Sequence, residues 1–146
     1  MNPTELVRLA RQAMQRAYAP YSGYKVGAAL LTKGGTVYLG CNIENAAFGP
    51  SNCAERTAFF TAIAAGEREF ASIAVVGGKD GAVAGIFPPC GVCRQVMQEF
   101  CGPDFLIYMG RGDDSYEAVT LETLLPYGFS AAKYMSDGEK ICGKHS

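Results

Sequence analysis

Histidine is almost missing from this chain: there is one, His145, beside the C-terminus. A residue so close to the end is expected to take no part in a built site. Any metal centre or acid–base catalyst must then be assembled mostly without imidazole. An excess of positive charge is also missing. Thirteen Lys and Arg stand against fourteen Asp and Glu, a formal net charge of −1. That argues against the broad basic footprint of a nucleic-acid polymer binder but leaves room for one small polar ligand. No apolar run approaches the about 20 residues needed to span a bilayer. The opening "MNPTELVRLARQAMQ" lacks the apolar stretch of a secretory signal. A cytoplasmic, reducing compartment is therefore expected. The six cysteines read there as metal ligands or small core residues rather than as a disulfide framework.

What is present suffices for one domain. The chain has 146 residues, 49% of them apolar, enough for a single packed core. Asn2, Pro3 and Glu5 form a helix-start pattern. Leu6, Ala10, Ala13, Met14 and Ala17 then fall on one face at helical spacing, and Pro20 is the expected stop. "KVGAALLTKGGTVYLGCNIE" reads as a hairpin turning at Gly34-Gly35. Residues 53–65 read as a helix ended by Gly66, and "FASIAVVGG" as a buried strand. "CGVCRQVMQEFCG" is a short helix that Gly102 and Pro103 terminate; "DFLIYMG" and "YEAVT" are strands, and "LETLLPYGFS" is a helical turn followed by a loop. The order αββαβαββα predicts a mixed sheet with helices on its faces. Residues 1–130 form the expected domain, and 131–146 a peripheral tail.

The chemistry concentrates in "PSNCAERTAFF" and "PPCGVC". Cys90 and Cys93 are three apart at a helix start, so both thiols project from one side of its first turn. Cys53 also opens a helix. The partial positive charge and unpaired N–H groups of a helix N-terminus favour the thiolate, which is the form that binds metal. Three thiolates suit tetrahedral Zn²⁺. A structural zinc site closes with a fourth protein ligand, whereas a catalytic site leaves that position to water. Cys41, Cys101, Cys142 and His145 are the remaining soft candidates. Cys41 ends a strand and Cys101 lies two helical turns beyond Cys93, positions that suit small buried residues. An open position is the better reading, and Glu55 strengthens it, because a carboxylate beside a zinc-bound water can take its proton and pass it on. C-x-E alone means little, since Glu in a first helical turn simply complements the helix dipole. Followed by P-C-x-x-C it matches a zinc-deaminase signature with Cys53 as first ligand. Three thiolates and Zn²⁺ sum to −1, which opposes deprotonation of a bound water. Arg56 and Arg94, each directly after a site residue, are candidates to relieve this by donating to a ligand sulfur.

"NIENAA", "CAERTA" and "PCGVCRQV" occur in this order, with "PYSGYKVGAALL" before them and "LLPYGFS" after. Taken together, from about residue 3 to Phe129, the chain resembles the short homotetrameric zinc-dependent cytidine deaminases. The resemblance implies a three-layer α/β/α fold with a mixed five-stranded sheet. It also implies hydrolysis of cytidine and 2′-deoxycytidine to the uridine products and ammonia, in pyrimidine salvage. One Zn²⁺ per subunit would be held by Cys53, Cys90 and Cys93, with Glu55 as proton shuttle. Asn42 and Glu44 would meet the ribose 3′-hydroxyl, the backbone at Ala54 the base, and Tyr24 would lie beside the substrate. Phe129 would reach into a neighbouring subunit's site. Tyr24 stands where Phe is common in this family, and "FGPS" before Asn52 departs from the usual loop.

Two other readings remain open at this level. A deaminase of the same fold could act on another cytosine-containing compound or on a polynucleotide. The near-neutral charge opposes the polynucleotide, and "NIEN" favours a free ribose. A binding or structural module could hold closed zinc, but it needs a fourth protein ligand, and none of Cys41, Cys101, Cys142 and His145 stands out as one.

Overall fold

The computed structural model describes residues 1–131. Its elements are α1 (Pro3–Met14), β1 (Tyr24–Thr32), β2 (Val37–Cys41), α2 (Ala54–Ala64), β3 (Phe70–Lys79), α3 (Gly91–Phe100), β4 (Leu106–Gly110), β5 (Tyr116–Thr120) and α4 (Leu121–Leu124). The expected order and the mixed sheet are both present. The five strands lie in the order β2-β1-β3-β4-β5. Only β3 and β4 run parallel; every other neighbouring pair is antiparallel. A parallel pair needs a crossover, and α3 sits in that connection.

Side-chain alternation along the central strands divides the core in two. Ala28, Leu30, Ile73, Val75 and Ile107 point to the face covered by α2 and α3, against Ala58, Phe59, Ala62 and Met97. Ala29, Ala74 and Val76 point the other way, against Leu6, Val7, Ala10 and Met14 of α1. Both faces of β1 and β3 are covered, which explains why these strands read as nearly continuous apolar runs. Phe59 anchors the larger cluster, edge-on to Phe70 with ring centroids 5.1 Å apart.

Two glycines set how closely the helices approach the sheet. Gly27 pairs with Cys41, and a Cβ there would overlap the α1 backbone at Ala10 O and Met14 N. Gly40 pairs with Ala28 on the opposite face, and a Cβ there would strike α2 at Ala54 O and Ala58 N. The first turn of α2, which carries the candidate site, therefore rests directly on the β2 backbone.

The N-terminal helix starts as expected, with Asn2 Oδ1 accepting from Glu5 N at 2.9 Å. It ends earlier than the apolar pattern suggests. α1 stops at Met14, with Gln15 as its C-cap, and Ala17 lies beyond it. The main chain of Tyr18 is committed elsewhere: its N–H donates to Asn42 O and its carbonyl accepts from Glu44 N. Bridging to the segment after β2 competes with further helix and wins before Pro20. Residues 132–146, including Cys142 and His145 and nearly all of the expected tail, lie outside the described residues.

Gly27→Ala is expected to lower unfolding stability by about 1–3 kcal/mol, as overpacking does. Gly34→Ala, whose Cβ would meet nothing closer than 3.8 Å, should stay within about 0.5 kcal/mol of the parent. Urea unfolding midpoints measure both.

Candidate active site

Cys53 is the N-cap of α2 and Cys90 the N-cap of α3; both have extended backbones, and neither side chain caps its helix. N-caps are usually Ser, Thr, Asp or Asn, whose oxygen satisfies a free N–H of the first turn. Here sulfur occupies both positions and is left free to point between the helices. Cys93, in the first turn of α3, is buried beside them. The Cys53 and Cys90 sulfurs are 3.7 Å apart and those of Cys90 and Cys93 3.5 Å apart. All three lie within 4.8 Å of one another. Zn–S bonds of about 2.3 Å in tetrahedral array separate sulfurs by roughly 3.8 Å, so the donor set and its spacing fit zinc. Among the described residues, Cys53, Cys90 and Cys93 are the group that could hold a metal ion. Cys101 is buried as the C-cap of α3, and Cys41 is a half-buried strand end; neither joins the cluster.

The hydrogen bond from Cys93, helped by Arg56, pulls the Cys53 thiol down to about 5 against the effect of burial. The same hydrogen bond together with burial pushes Cys93 up. The cluster thus holds a thiolate readily at the α2 terminus. Arg56 Nη2 donates to Cys53 Sγ at 3.2 Å, as charge relief requires. Its Nε is buried without a hydrogen-bond partner, so the guanidinium is held for its charge and one fork of donors. Arg94 is placed differently. Its Nε donates to Pro89 O at 2.7 Å and its Nη1 to Leu124 O at 2.8 Å. It ties the segment before Cys90 to α4 rather than meeting a sulfur through these two donors.

Glu55 follows in the first turn of α2 and is 4% exposed. Burial pushes its carboxyl up to about 7, and the neighbouring Cys53 charge adds to the shift. A group poised near neutrality can both take and give a proton.

These residues open onto a cavity of about 380 Å³ whose lining includes Tyr24, Asn42, Glu44, Ala54 and Phe87. Glu44 is held as an anion: its Oε1 accepts from Tyr21 N and Ser22 N at 2.9 and 3.0 Å, and Ser22 Oγ donates to Oε2. The Ser22 bonds hold its carboxyl below the usual range. Asn42 Oδ1 accepts from Val26 N at 2.9 Å, and its Nδ2 donates to Tyr24 O at 2.7 Å. One of its two amide hydrogens remains for a ligand. Phe129 is 55% exposed and is not among the lining residues of its own chain's cavity.

Sequence reasoning missed Phe87. It stands three residues before Cys90, its ring centroid 6.3 Å from that of Tyr24. It lies on Gly77, where a Cβ would press on its ring. The pair "GG" at the end of β3 was the available signal, because a glycine in a strand marks close approach by another group.

A family model described as the cytidine and deoxycytidylate deaminase zinc-binding region matches residues 1–109. The cytidine deaminase of Sporosarcina psychrophila is 46% identical over 130 residues, covering 89% of this chain and 93% of that one. That of Halalkalibacterium halodurans is 47% identical over 131 residues, covering 90% and 96%. The crystal structure of cytidine deaminase from Burkholderia pseudomallei superimposes with a TM-score of 0.82 at 47% identity, over 88% of this chain and all of that one. With a matching fold, a trio of sulfurs spaced for zinc and similarity along most of its length, the chain belongs to the cytidine deaminase family.

Proposed function

We propose that this protein deaminates cytidine and 2′-deoxycytidine hydrolytically, giving the uridine nucleosides and ammonia. The observation that carries the reading is the meeting of two helix N-termini: three sulfurs fit for zinc and one buried, near-neutral carboxyl open onto a nucleoside-sized cavity. Held by Cys53, Cys90 and Cys93, zinc supplies the Lewis acidity that makes hydroxide available near neutral pH.

Glu55 moves the protons. Its carboxylate takes one from the attacking water and delivers it to N3 of the pyrimidine, which makes C4 electrophilic. It then takes the proton of the new C4 hydroxyl and hands it to the departing amine, which leaves the C4 carbonyl of uridine. A C4–O bond forms, the C4–N4 bond breaks, one water is consumed and ammonia leaves. Burial of Glu55 in the first turn of α2 keeps bulk water from competing for these transfers.

Glu44 and the free amide hydrogen of Asn42 serve as acceptor and donor for the ribose 3′-hydroxyl. The Ala54 backbone meets the base, and Tyr24 with Phe87 walls the cavity. The fixed anion at Glu44 repels a phosphate brought close to it, which selects nucleosides over nucleotides. Arg56 offsets the negative charge of the sulfur set, and Arg94 fixes the approach to Cys90. The assembly is a homotetramer in which Phe129 completes a neighbour's site. Its support is the exposure of Phe129, and of Phe60 at 48% on the largely apolar helix α2. The setting is cytoplasmic pyrimidine salvage. Among the described residues no helix is long and apolar enough to cross a membrane.

Glu55→Ala is expected to retain one zinc per chain while turnover of cytidine falls by about 10²–10⁴. Metal analysis and ultraviolet loss of the cytosine chromophore measure the two. Near-parental turnover by the variant removes the proton-shuttle role. Arg56→Gln should lose zinc to a chelator faster than the parent, with loss followed by a zinc-sensitive dye; equal rates would remove its role at the sulfurs. Cytidine 5′-monophosphate should be turned over far more slowly than cytidine, and comparable kcat/KM values would overturn the function given to Glu44.

A further inference from the structure

Lys79 is the last residue of β3 and lies opposite Tyr24 in the β1–β3 register. Its side chain folds back over the corner that precedes Tyr24. Nζ donates to Ser22 O at 3.1 Å and lies 5.3 Å from the centroid of the Tyr24 ring. Gly23, between these two contacts, has φ +76, and a Cβ there would stand 3.2 Å from Nζ and 3.3 Å from Cε. A side chain at position 23 would thus crowd the space that Lys79 uses, besides being strained at that φ. The next residue closes the same corner, since Asp80 N donates to Gly23 O at 2.6 Å.

This corner carries much of the cavity's recognition chemistry. Ser22 is its hub: Oγ donates to Glu44 Oε2 and accepts from Tyr24 N, while Ser22 N donates to Glu44 Oε1. The Ser22 carbonyl is the hub's outward-facing acceptor, and the Lys79 ammonium takes it with a charge-assisted bond. The Tyr24 ring has Phe87 within aromatic contact and the Lys79 cation over it. Lys79 is exposed and is not among the lining residues of the cavity.

We propose that Lys79 is a positioning residue for substrate binding. It holds the Ser22–Tyr24 corner through the Ser22 carbonyl and the Tyr24 ring, and so sets both the Glu44 acceptor and the aromatic wall. The inference rests on the reading of Glu44 and Tyr24 as substrate-facing. The three cysteines and Glu55 are carried by the starts of α2 and α3, and Lys79 contacts Ser22 and Tyr24 instead, so the effect falls on binding rather than on chemistry.

Lys79→Met, Lys79→Arg and Tyr24→Leu are compared with the parent in steady-state deamination of cytidine, each loaded with zinc. Lys79→Met should raise KM by about threefold to tenfold, the scale set by one cation–aromatic contact and one exposed charge-assisted bond, with kcat within about twofold. Lys79→Arg keeps a cation and a donor and should return KM to within about twofold of the parent. Zinc content and thermal midpoint should match the parent in both Lys79 variants. If Tyr24→Leu raises KM while Lys79→Met leaves it unchanged, the role of Lys79 is overturned and the cavity reading stands. If neither changes KM, the cavity reading fails and the proposal fails with it. A Lys79→Met protein that loses kcat and zinc together, unrescued by Arg, would instead make Lys79 a structural residue.

Discussion

Everything in the site depends on giving two helix N-caps to sulfur. A capping oxygen would have turned inward to satisfy its own helix. Cys53 and Cys90 leave that task undone, and their thiols meet across the gap between α2 and α3 at 3.7 Å. The unpaired N–H groups of both first turns then face a cluster that gains negative charge, which offsets the loss of conventional caps. The arrangement demands that α2 begin at one particular place above the sheet. Gly40 provides it by letting the α2 backbone settle onto β2 where any larger residue would strike Ala54 and Ala58. A metal centre on one face of the sheet therefore rests on the lack of a side chain in an edge strand.

Charge balance follows from the same geometry. Gathering three sulfurs about a divalent cation leaves a net negative centre. The guanidinium nearest to it comes from the residue after Glu55, one turn along from Cys53, where its reach ends on the Cys53 sulfur. Arg94 stands in the analogous place one residue after Cys93 but has a different task, because Pro89 and the end of α4 offer it carbonyls first. Sequence proximity to a ligand does not by itself decide which arginine reaches the sulfur. The carbonyl acceptors along each path decide it, and only the folded chain supplies those.

The element order and the sulfur cluster were legible because each rests on local rules. Nearly continuous apolar runs mark β1 and β3, and cysteines at helix starts mark the cluster. The end of α1 was not legible, because it depends on Tyr18 pairing with Asn42 and Glu44, partners more than twenty residues away. Phe87 was hidden for a related reason: its contact with the cavity is set by Gly77 in another element. Lys79 reads as the end of a strand or the start of a loop, and nothing nearby in sequence announces Ser22 or Tyr24 as its partners. What the sequence hides here are contacts between side chains and distant main chain.

The cavity holds two carboxylates whose surroundings push them apart. Glu55 is sealed into the first turn of α2, where the loss of solvent raises its carboxyl to about 7. Glu44 is only half-buried and is surrounded by donors from Ser22 and Tyr21, which lower its carboxyl. One can therefore exchange a proton under neutral conditions, while the other remains charged throughout. Separation of this kind suits the buried group to acid–base work and the donor-surrounded one to a fixed charge. Exchanging the two environments would leave a permanent charge beside the sulfurs and a proton-bearing acid beside Ser22 and Tyr21. The distinction lies in burial and donor count, since the side chains are chemically identical.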